Sequence, residues 1–244
     1  LVSRTPDGRA GNGPSHTPSI SADGARVAFT SAAPDLAQGD RGQRSHVFVF
    51  ERSSRRVTLL SGDSVASIVP TESHAPRISA DGRIVAYQMA AGAAGAHAGC
   101  VEVIRVEVDT GTRQCVSCVP DNEHRDAVHA TRPGLSADGS TIVYLRRLAR
   151  SQPADHEIWL HAHTRNAALR LDGIGPGSRT MDEVLTPEMS ADGRWLTFAA
   201  YPRRTAGTDG RRASQIYVQA LPNGRPMLVT ATAATIADMF GVAH

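Results

Sequence analysis

The chain has 244 residues, a formal net charge of +2 and 20% charged residues. This balance does not mark the chain as a nucleic-acid-binding protein, and no apolar run approaches the ~20 residues that a membrane-spanning helix needs. The 22 glycines and 14 prolines suit strands and turns. The chain begins with Leu1 and no basic leader precedes an apolar segment, so we expect a mature or excised segment.

A twelve-residue pattern recurs along the chain. It reads PSISADGARVAF from Pro18, PRISADGRIVAY from Pro76, PGLSADGSTIVY from Pro133 and PEMSADGRWLTF from Pro187. The spacing between copies is nearly constant, and such a period indicates a repeat architecture.

Each copy predicts a hairpin of two strands, A and B, joined by a tight Asp-Gly turn. Strand A is short, holds one apolar residue and is limited at one end by the proline. Strand B carries an aromatic residue on its buried face. These four aromatic residues are Phe29, Tyr87, Tyr144 and Phe198.

Two further strands, C and D, follow in every repeat. Strand C reads HVFVF, VEVIRVEV, EIWLHAH and QIYVQAL, and strand D reads RVTLLS, RQCVS, ALRLD and PMLVT. Four antiparallel strands in meander order make one blade of a β-propeller. The predicted fold is therefore an all-β propeller with four complete four-stranded blades, at about 13–62, 72–119, 128–173 and 184–232.

The two ends of the chain bear on how the ring closes. Leu1 to Ser3 repeats the end of a strand D, yet the fourth repeat already has its own strand D at Met227 to Thr230. We therefore expect residues 1–3 to be the remnant of a preceding blade, in a larger propeller of six to eight blades, with 233–244 as a tail. A compact four-bladed ring is the alternative.

The pattern P-x-[ILM]-S-A-D-G-x-x-[VIL]-x-[FY] resembles the WD40-like (PD40) repeat of TolB-type bacterial β-propellers, in which Ser-Pro-Asp-Gly is the commoner spelling. The resemblance covers the chain from about Gly13 to Ala231. It implies a propeller fold and a periplasmic or cell-surface location. It is much less specific for function.

Three cysteines stand in the second repeat, at Cys100, Cys115 and Cys118. The last two form a C-x-x-C, but no helical pattern follows it as in thioredoxin-like sites, and a zinc site would need further ligands. A structural disulfide is favoured, either Cys100 with Cys118 or Cys115 with Cys118. It fits an extracytoplasmic location.

The chain carries no motif for a catalytic nucleophile, a phosphate loop or a zinc protease. Some members of the resembled family have an acidic loop in their first blade that could suit Ca²⁺. Here the matching GDRGQRSH keeps Asp40 but places Arg41, Gly42 and His46 at the other positions. We expect no cofactor and no metal.

The candidate binding residues lie at the rim opposite the Asp-Gly turns. Histidines fall on the predicted connections from strand D to the next strand A, with His46 and His156 entering strand C nearby, while Thr186 interrupts the series in the fourth repeat. The loops between strands B and C differ in length, and those of the third and fourth repeats are rich in arginine. The candidates are Arg146, Arg147, Arg150, Arg203, Arg204, Arg211, Arg212, His16, His74 and His129.

Two functions fit these features. The first is a non-catalytic scaffold whose variable rim loops dock a protein or an anionic glycan. The alternative is a metal-assisted polysaccharide lyase or hydrolase that uses histidines at the channel mouth, as in oligogalacturonate-lyase-type propellers.

Overall fold

The computed structural model describes residues 1–37, 44–62, 70–92, 99–118, 128–148, 156–165, 167–171, 181–202, 213–222 and 224–230. The predicted sites at Asp40, Arg41, Gly42, Arg150, Arg203, Arg204, Arg211 and Arg212 lie outside these ranges. Within these ranges the regular structure is β, apart from one 3₁₀ turn at His163–Arg165. No helix long and apolar enough to cross a membrane occurs in the part of the chain described.

The described residues contain sixteen strands in four antiparallel groups of four, here called blades 1 to 4. Blade 1 contains β1 (Ser15–Ile20), β2 (Arg26–Ser31), β3 (His46–Glu51) and β4 (Arg56–Leu59). Blade 2 contains β5 (Pro70–Ile78), β6 (Ile84–Ala91), β7 (Val101–Glu107) and β8 (Arg113–Cys115). Blade 3 contains β9 (Val128–Leu135), β10 (Thr141–Leu148), β11 (His156–Ala162) and β12 (Ala167–Arg170). Blade 4 contains β13 (Met181–Met189), β14 (Trp195–Pro202), β15 (Gln215–Ala220) and β16 (Met227–Leu228).

Each blade is a meander in which neighbouring strands in sequence pair with one another. Blades 2 and 3 are also linked by one parallel bridge, between Val101 and His129. Apolar side chains fill the space between consecutive blades, so the core lies between the sheets. The four strand-B aromatic residues are at most 3% exposed, which confirms the predicted register of strand B.

The Ser-Ala-Asp-Gly segments form closely similar turns. In each, the serine hydroxyl donates to the aspartate Oδ1 and accepts the amide of the residue five positions later. The glycine has a φ between 65° and 74°, a conformation that costs glycine little. Ser136 and the Ser140 amide hold the pKa of the Asp138 carboxyl below its usual 3.8. The motif therefore serves turn geometry, as the sequence predicts.

The alanine of this motif also joins the blades. The amide of Ala22 donates to the carbonyl of Ala80 at 2.8 Å, Ala80 donates to Ala137 at 2.7 Å, and Ala137 donates to Ala191 at 2.8 Å. A line of hydrogen bonds thus runs along this rim from blade to blade. A proline at these positions would have no amide hydrogen to donate.

The proline of each repeat does not end strand A, as the sequence suggested, but lies inside it. It occupies a β-bulge in which two residues oppose the single strand-B aromatic residue. The residue before the proline has a positive φ in all four blades, with values from 40° to 55°. A bulge tolerates proline because the ladder is already interrupted there. The four bulge pairs are Thr17-Pro18, Ala75-Pro76, Arg132-Pro133 and Thr186-Pro187.

Candidate functional site

The candidate histidines stand within strand A and not, as the sequence indicated, in the connections that precede it. His16 is exposed on β1 beside a small cleft of about 170 Å³ that includes Val2 and Pro18. His74 lies on β5, with its Nε2 3.1 Å from a carboxylate oxygen of Glu72. The structure therefore does not bring His16 and His74 together in one site.

His129 belongs to a row of residues across blade 3. It pairs with Arg147 on β10, which in turn pairs with His156 on β11. Directly opposite residues of antiparallel strands have neighbouring side chains. The row lines a cavity of about 580 Å³, together with Gln88 of blade 2 and with Thr131 and Arg132 of β9. This cavity is the candidate functional site, and we call it the channel-mouth cavity.

The charges of this cavity are mainly those of two arginines. Burial lowers the pKa of His129 from 6.5, the positive charge of Arg147 lowers it further, and Glu102 acts in the opposite direction. His129 is therefore neutral at pH 7. Arg132 and Arg147 carry a fixed positive charge, since the guanidinium group remains protonated in proteins. The site thus attracts anions.

Arg132 is a site residue that sequence reasoning missed. It is the first residue of the blade 3 bulge and has a φ of 55°. The sequence feature that could have identified Arg132 is its position before the repeat proline, where the other blades have threonine or alanine. Because the bulge interrupts the alternation of strand A, the strand pattern alone does not predict where this side chain points.

A second, smaller cavity shares Gln88 and Arg132 with the channel-mouth cavity. Its volume is about 120 Å³, and it is lined by these two residues and by bulge residues of blades 2, 3 and 4. Arg77 of β5 forms an ion pair with Glu188 of β13 at 2.7 Å, and this contact joins blade 2 to blade 4. The innermost strands of three blades thus meet at one place.

The predicted arginines divide into three groups. Arg147 lines the channel-mouth cavity. Arg146 stacks on Trp159, with its guanidinium carbon 4.6 Å from the ring centre, and is half-buried. The remaining five lie outside the described residues, namely Arg150, Arg203, Arg204, Arg211 and Arg212.

A larger cavity, of about 720 Å³, lies away from the channel between the N-terminal segment and β4. Its wall includes Arg55, Arg56 and Arg113, and the Nε of Arg113 donates to the carbonyl of Leu60 at 2.8 Å. None of its lining residues in the described ranges is a histidine or belongs to a strand A. We therefore regard the channel-mouth cavity as the better candidate.

The cysteines form the second of the two pairings that the sequence allowed. Cys115 and Cys118 are joined in a disulfide, with their Cα atoms 5.5 Å apart. Cys100 is buried and lies outside this disulfide. The C-x-x-C therefore closes a short loop directly after β8.

Comparison with known proteins finds similarity in structure but not in sequence. The chain matches no protein-family model, and it matches no curated protein sequence. Similarity is found with solved structures, and the three described below are 10–17% identical to the chain.

Three of these structures illustrate the similarity. TolB from Acinetobacter baumannii is 17% identical, with a TM-score of 0.50, over 90% of this chain and 46% of that one. The β-propeller domain of the trilobed protease from Pyrococcus furiosus is 10% identical, with a TM-score of 0.59, over 92% and 59%. Oligogalacturonate lyase from Vibrio parahaemolyticus is 11% identical, with a TM-score of 0.58, over 91% and 55%.

These similarities support a β-propeller fold for the chain, which spans only about half the length of these proteins. The three proteins are a TolB, part of a protease and a lyase, so the fold alone does not decide the function.

Proposed function

We propose that the chain is a non-catalytic binding scaffold of the TolB-like propeller type. It docks an acidic protein surface or an anionic glycan at the channel mouth and on the variable rim loops. The observation that carries this proposal is the channel-mouth cavity, in which Arg132 and Arg147 stand beside His129 and His156.

The lining groups suit a carboxylated ligand. An arginine guanidinium donates two parallel hydrogen bonds to a carboxylate, with more geometric specificity than a lysine provides. Gln88 and Thr131 add neutral polar groups that can orient sugar hydroxyls or peptide amides. A volume of about 580 Å³ lies within the range of small-molecule sites, so the cavity can take one or two sugar rings or an acidic side chain.

Two structural features support placing the four blades in a larger propeller of six to eight blades. Among the described residues, the amide of Ala191 meets no acceptor, although the three preceding alanines of the motif each donate to the next blade. Blade 4 also exposes apolar side chains, with Trp195 44% and Val229 53% exposed. A further blade would cover them.

The disulfide supports a periplasmic or extracellular location, because disulfides persist in oxidising compartments. Rim arginines outside the described ranges, Arg150, Arg203, Arg204, Arg211 and Arg212, remain part of the proposed docking surface. His16 and His74 belong to it as proposed contacts on blades 1 and 2.

Binding of hexagalacturonate and of a polyglutamate peptide, measured by calorimetry, tests the proposal. Arg132→Ala and Arg147→Ala should each weaken binding by about tenfold, because each removes a charged hydrogen-bond donor. Raising the salt concentration should weaken binding as well. Arg83→Ala is the matched control, since this exposed arginine follows the Asp-Gly turn on the opposite rim.

Equal effects of all three substitutions would contradict a site at the channel mouth. A neutral oligosaccharide that binds as tightly as hexagalacturonate would contradict the role of charge.

The second candidate function is a metal-assisted lyase or hydrolase. It is favoured by His129 and His156, which line the same cavity, and by the similarity to an oligogalacturonate lyase. In the described residues, the only group of three potential ligands with mutual distances within 4.8 Å lies elsewhere, in blade 2. Stoichiometric bound metal together with turnover of oligogalacturonate, lost in His129→Gln, would favour this function over the scaffold.

A further inference from the structure

A buried carboxylate lies beside the disulfide of blade 2. One oxygen of Glu102 and the sulfurs of Cys115 and Cys118 all lie within 4.8 Å of one another. Glu102 is 1% exposed, and it accepts a hydrogen bond from the hydroxyl of Ser117. These groups do not line the channel-mouth cavity, although the charge of Glu102 acts on His129 there.

The same position in other blades shows which part of this arrangement is structural. In blade 1, the Ser61 hydroxyl accepts the amide of Val47 at 2.9 Å and contacts Nδ1 of His46. In blade 4, the Thr230 hydroxyl accepts the amide of Ile216 and donates to Gln215. A hydroxyl after strand D thus fastens the start of strand C, and we call this contact the rim clasp.

Blade 2 has the same rim clasp, in which Ser117 accepts the amide of Val103 at 2.8 Å. It differs in the surrounding groups, because Glu102 stands where blade 1 has His46 and Cys115 where blade 1 has Leu59. Since blades 1 and 4 make the clasp without a carboxylate or a thiol, the clasp does not explain these substitutions.

We propose that Cys115, Cys118 and Glu102 bind one Zn²⁺ when the disulfide is reduced. Reduction by an external dithiol breaks the S–S bond, adds two electrons and two protons to the cysteines, and leaves the reductant as a disulfide. Binding of Zn²⁺ then displaces the two thiol protons. The disulfide and the zinc complex are therefore alternative states of one site.

The geometry suits a tetrahedral ion. Two Zn–S bonds of about 2.3 Å require the sulfurs to lie about 3.8 Å apart. The two cysteines have Cα atoms 5.5 Å apart, so side-chain rotation can supply this separation once the bond is broken. The C-x-x-C spacing is that of zinc-binding loops, and Glu102 supplies a third ligand of a type that zinc accepts.

The burial of the three protein ligands indicates how the zinc ion enters the site and what its fourth ligand is. Glu102 is buried on one side of the site, whereas Cys115 and Cys118 are half-buried, so the ion enters from the sulfur side. Water completes the tetrahedron there. This site sits in the packing between blades 1 and 2, since both cysteines contact the cluster that contains Val47 and Leu60.

Zinc titration of the phosphine-reduced chain against a chromophoric chelator tests the proposal. We expect one Zn²⁺ per reduced chain and none in the oxidised chain. Cys115→Ser and Cys118→Ser should each weaken binding by about 100-fold or more, and Glu102→Gln by about tenfold or more. Cys100→Ala is the matched control, because it removes a buried thiol of the same blade. It should bind zinc as the wild type does, because Cys100 is not one of the three ligands.

Substitution by Co²⁺ gives an independent spectroscopic readout, since thiolate ligation produces an intense charge-transfer absorption. Equal zinc affinity of the reduced and oxidised wild-type chain would overturn the proposal without any substitution. If Glu102→Gln bound zinc with wild-type affinity, the carboxylate would not be a ligand, and the three-ligand arrangement would be wrong. Circular dichroism of each variant separates loss of a ligand from loss of folding.

Discussion

At the scale of single residues, His129 links the charge of the channel-mouth cavity to pH. Burial and Arg147 lower its pKa below 6.5, while Glu102 opposes them and His156 lies on the far side of Arg147. The neutral imidazole is the ordinary state at pH 7. A bound carboxylate would favour the imidazolium, so binding of an anion should raise this pKa.

We therefore expect proton uptake on binding of hexagalacturonate. Affinity should rise as the pH falls from about 7.5 to about 5.5, and a pKa change of one unit corresponds to a factor of ten in affinity. Calorimetry in buffers of different ionisation enthalpy measures the uptake directly. His129→Gln should abolish it, and unchanged uptake in that variant would assign the proton to another group.

The same lowered pKa affects stability in the opposite direction. Below pH 6.5 the unfolded chain binds a proton at His129 before the folded chain does, so the free energy of unfolding decreases as the pH falls. Tighter binding at lower pH would therefore not reflect a more stable fold. Denaturant unfolding of the wild type and of His129→Gln over this range distinguishes the two effects.

At the scale of the strand, the bulge stores a small strain in each blade. Ala75 has a φ of 51°, a left-handed conformation that costs an alanine about 1 kcal/mol relative to glycine. Ala75 is half-buried at the first bulge position of β5. Ala75→Gly should raise the free energy of unfolding by about 0.5 kcal/mol, after the entropy lost by glycine is subtracted.

Ala90→Gly is the matched control for the bulge. Ala90 is also a half-buried alanine of blade 2, but its φ is not positive, and it pairs with Val101 of β7 without a register shift. Glycine there should lower the free energy of unfolding by about 0.5–1 kcal/mol. Denaturant unfolding measures both variants, and a loss of stability in both would show that the bulge is not strained.

At the scale of the whole molecule, the blades are joined along one rim by the alanine amides of the Asp-Gly turns. Ala137→Pro removes the donor to Ala191 and should lower the free energy of unfolding by about 1–2 kcal/mol. Ala191→Pro removes an amide that meets no acceptor among the described residues. It should therefore be neutral or slightly stabilising, because proline also restricts the unfolded chain.

Thermal unfolding of the 244-residue chain measures this difference. Similar effects of the two prolines would show that the hydrogen bond from blade 3 to blade 4 contributes nothing. In a longer chain that supplies a further blade, Ala191→Pro should become as costly as Ala137→Pro. This comparison therefore also tests the proposed larger ring.

The sequence determined those features that depend on neighbouring residues. The Asp-Gly turn, the buried aromatic register of Phe29, Tyr87, Tyr144 and Phe198, and the four-strand repeat all follow from short patterns that alternate or turn locally. The C-x-x-C disulfide was one of two pairings open to sequence reasoning, because Cys100 stands at the start of strand C in the same blade. These features need no knowledge of how the blades pack.

The tertiary structure decided which residues meet across strands and blades. The bulge moved Arg132 into the cavity with Arg147 of a neighbouring strand and Gln88 of another blade. The packing of β7 against β8 brought Glu102 next to the two sulfurs. Such contacts join residues far apart in the chain, and their positions depend on strand pairing and blade packing. The local sequence pattern determines only which face of a strand is buried.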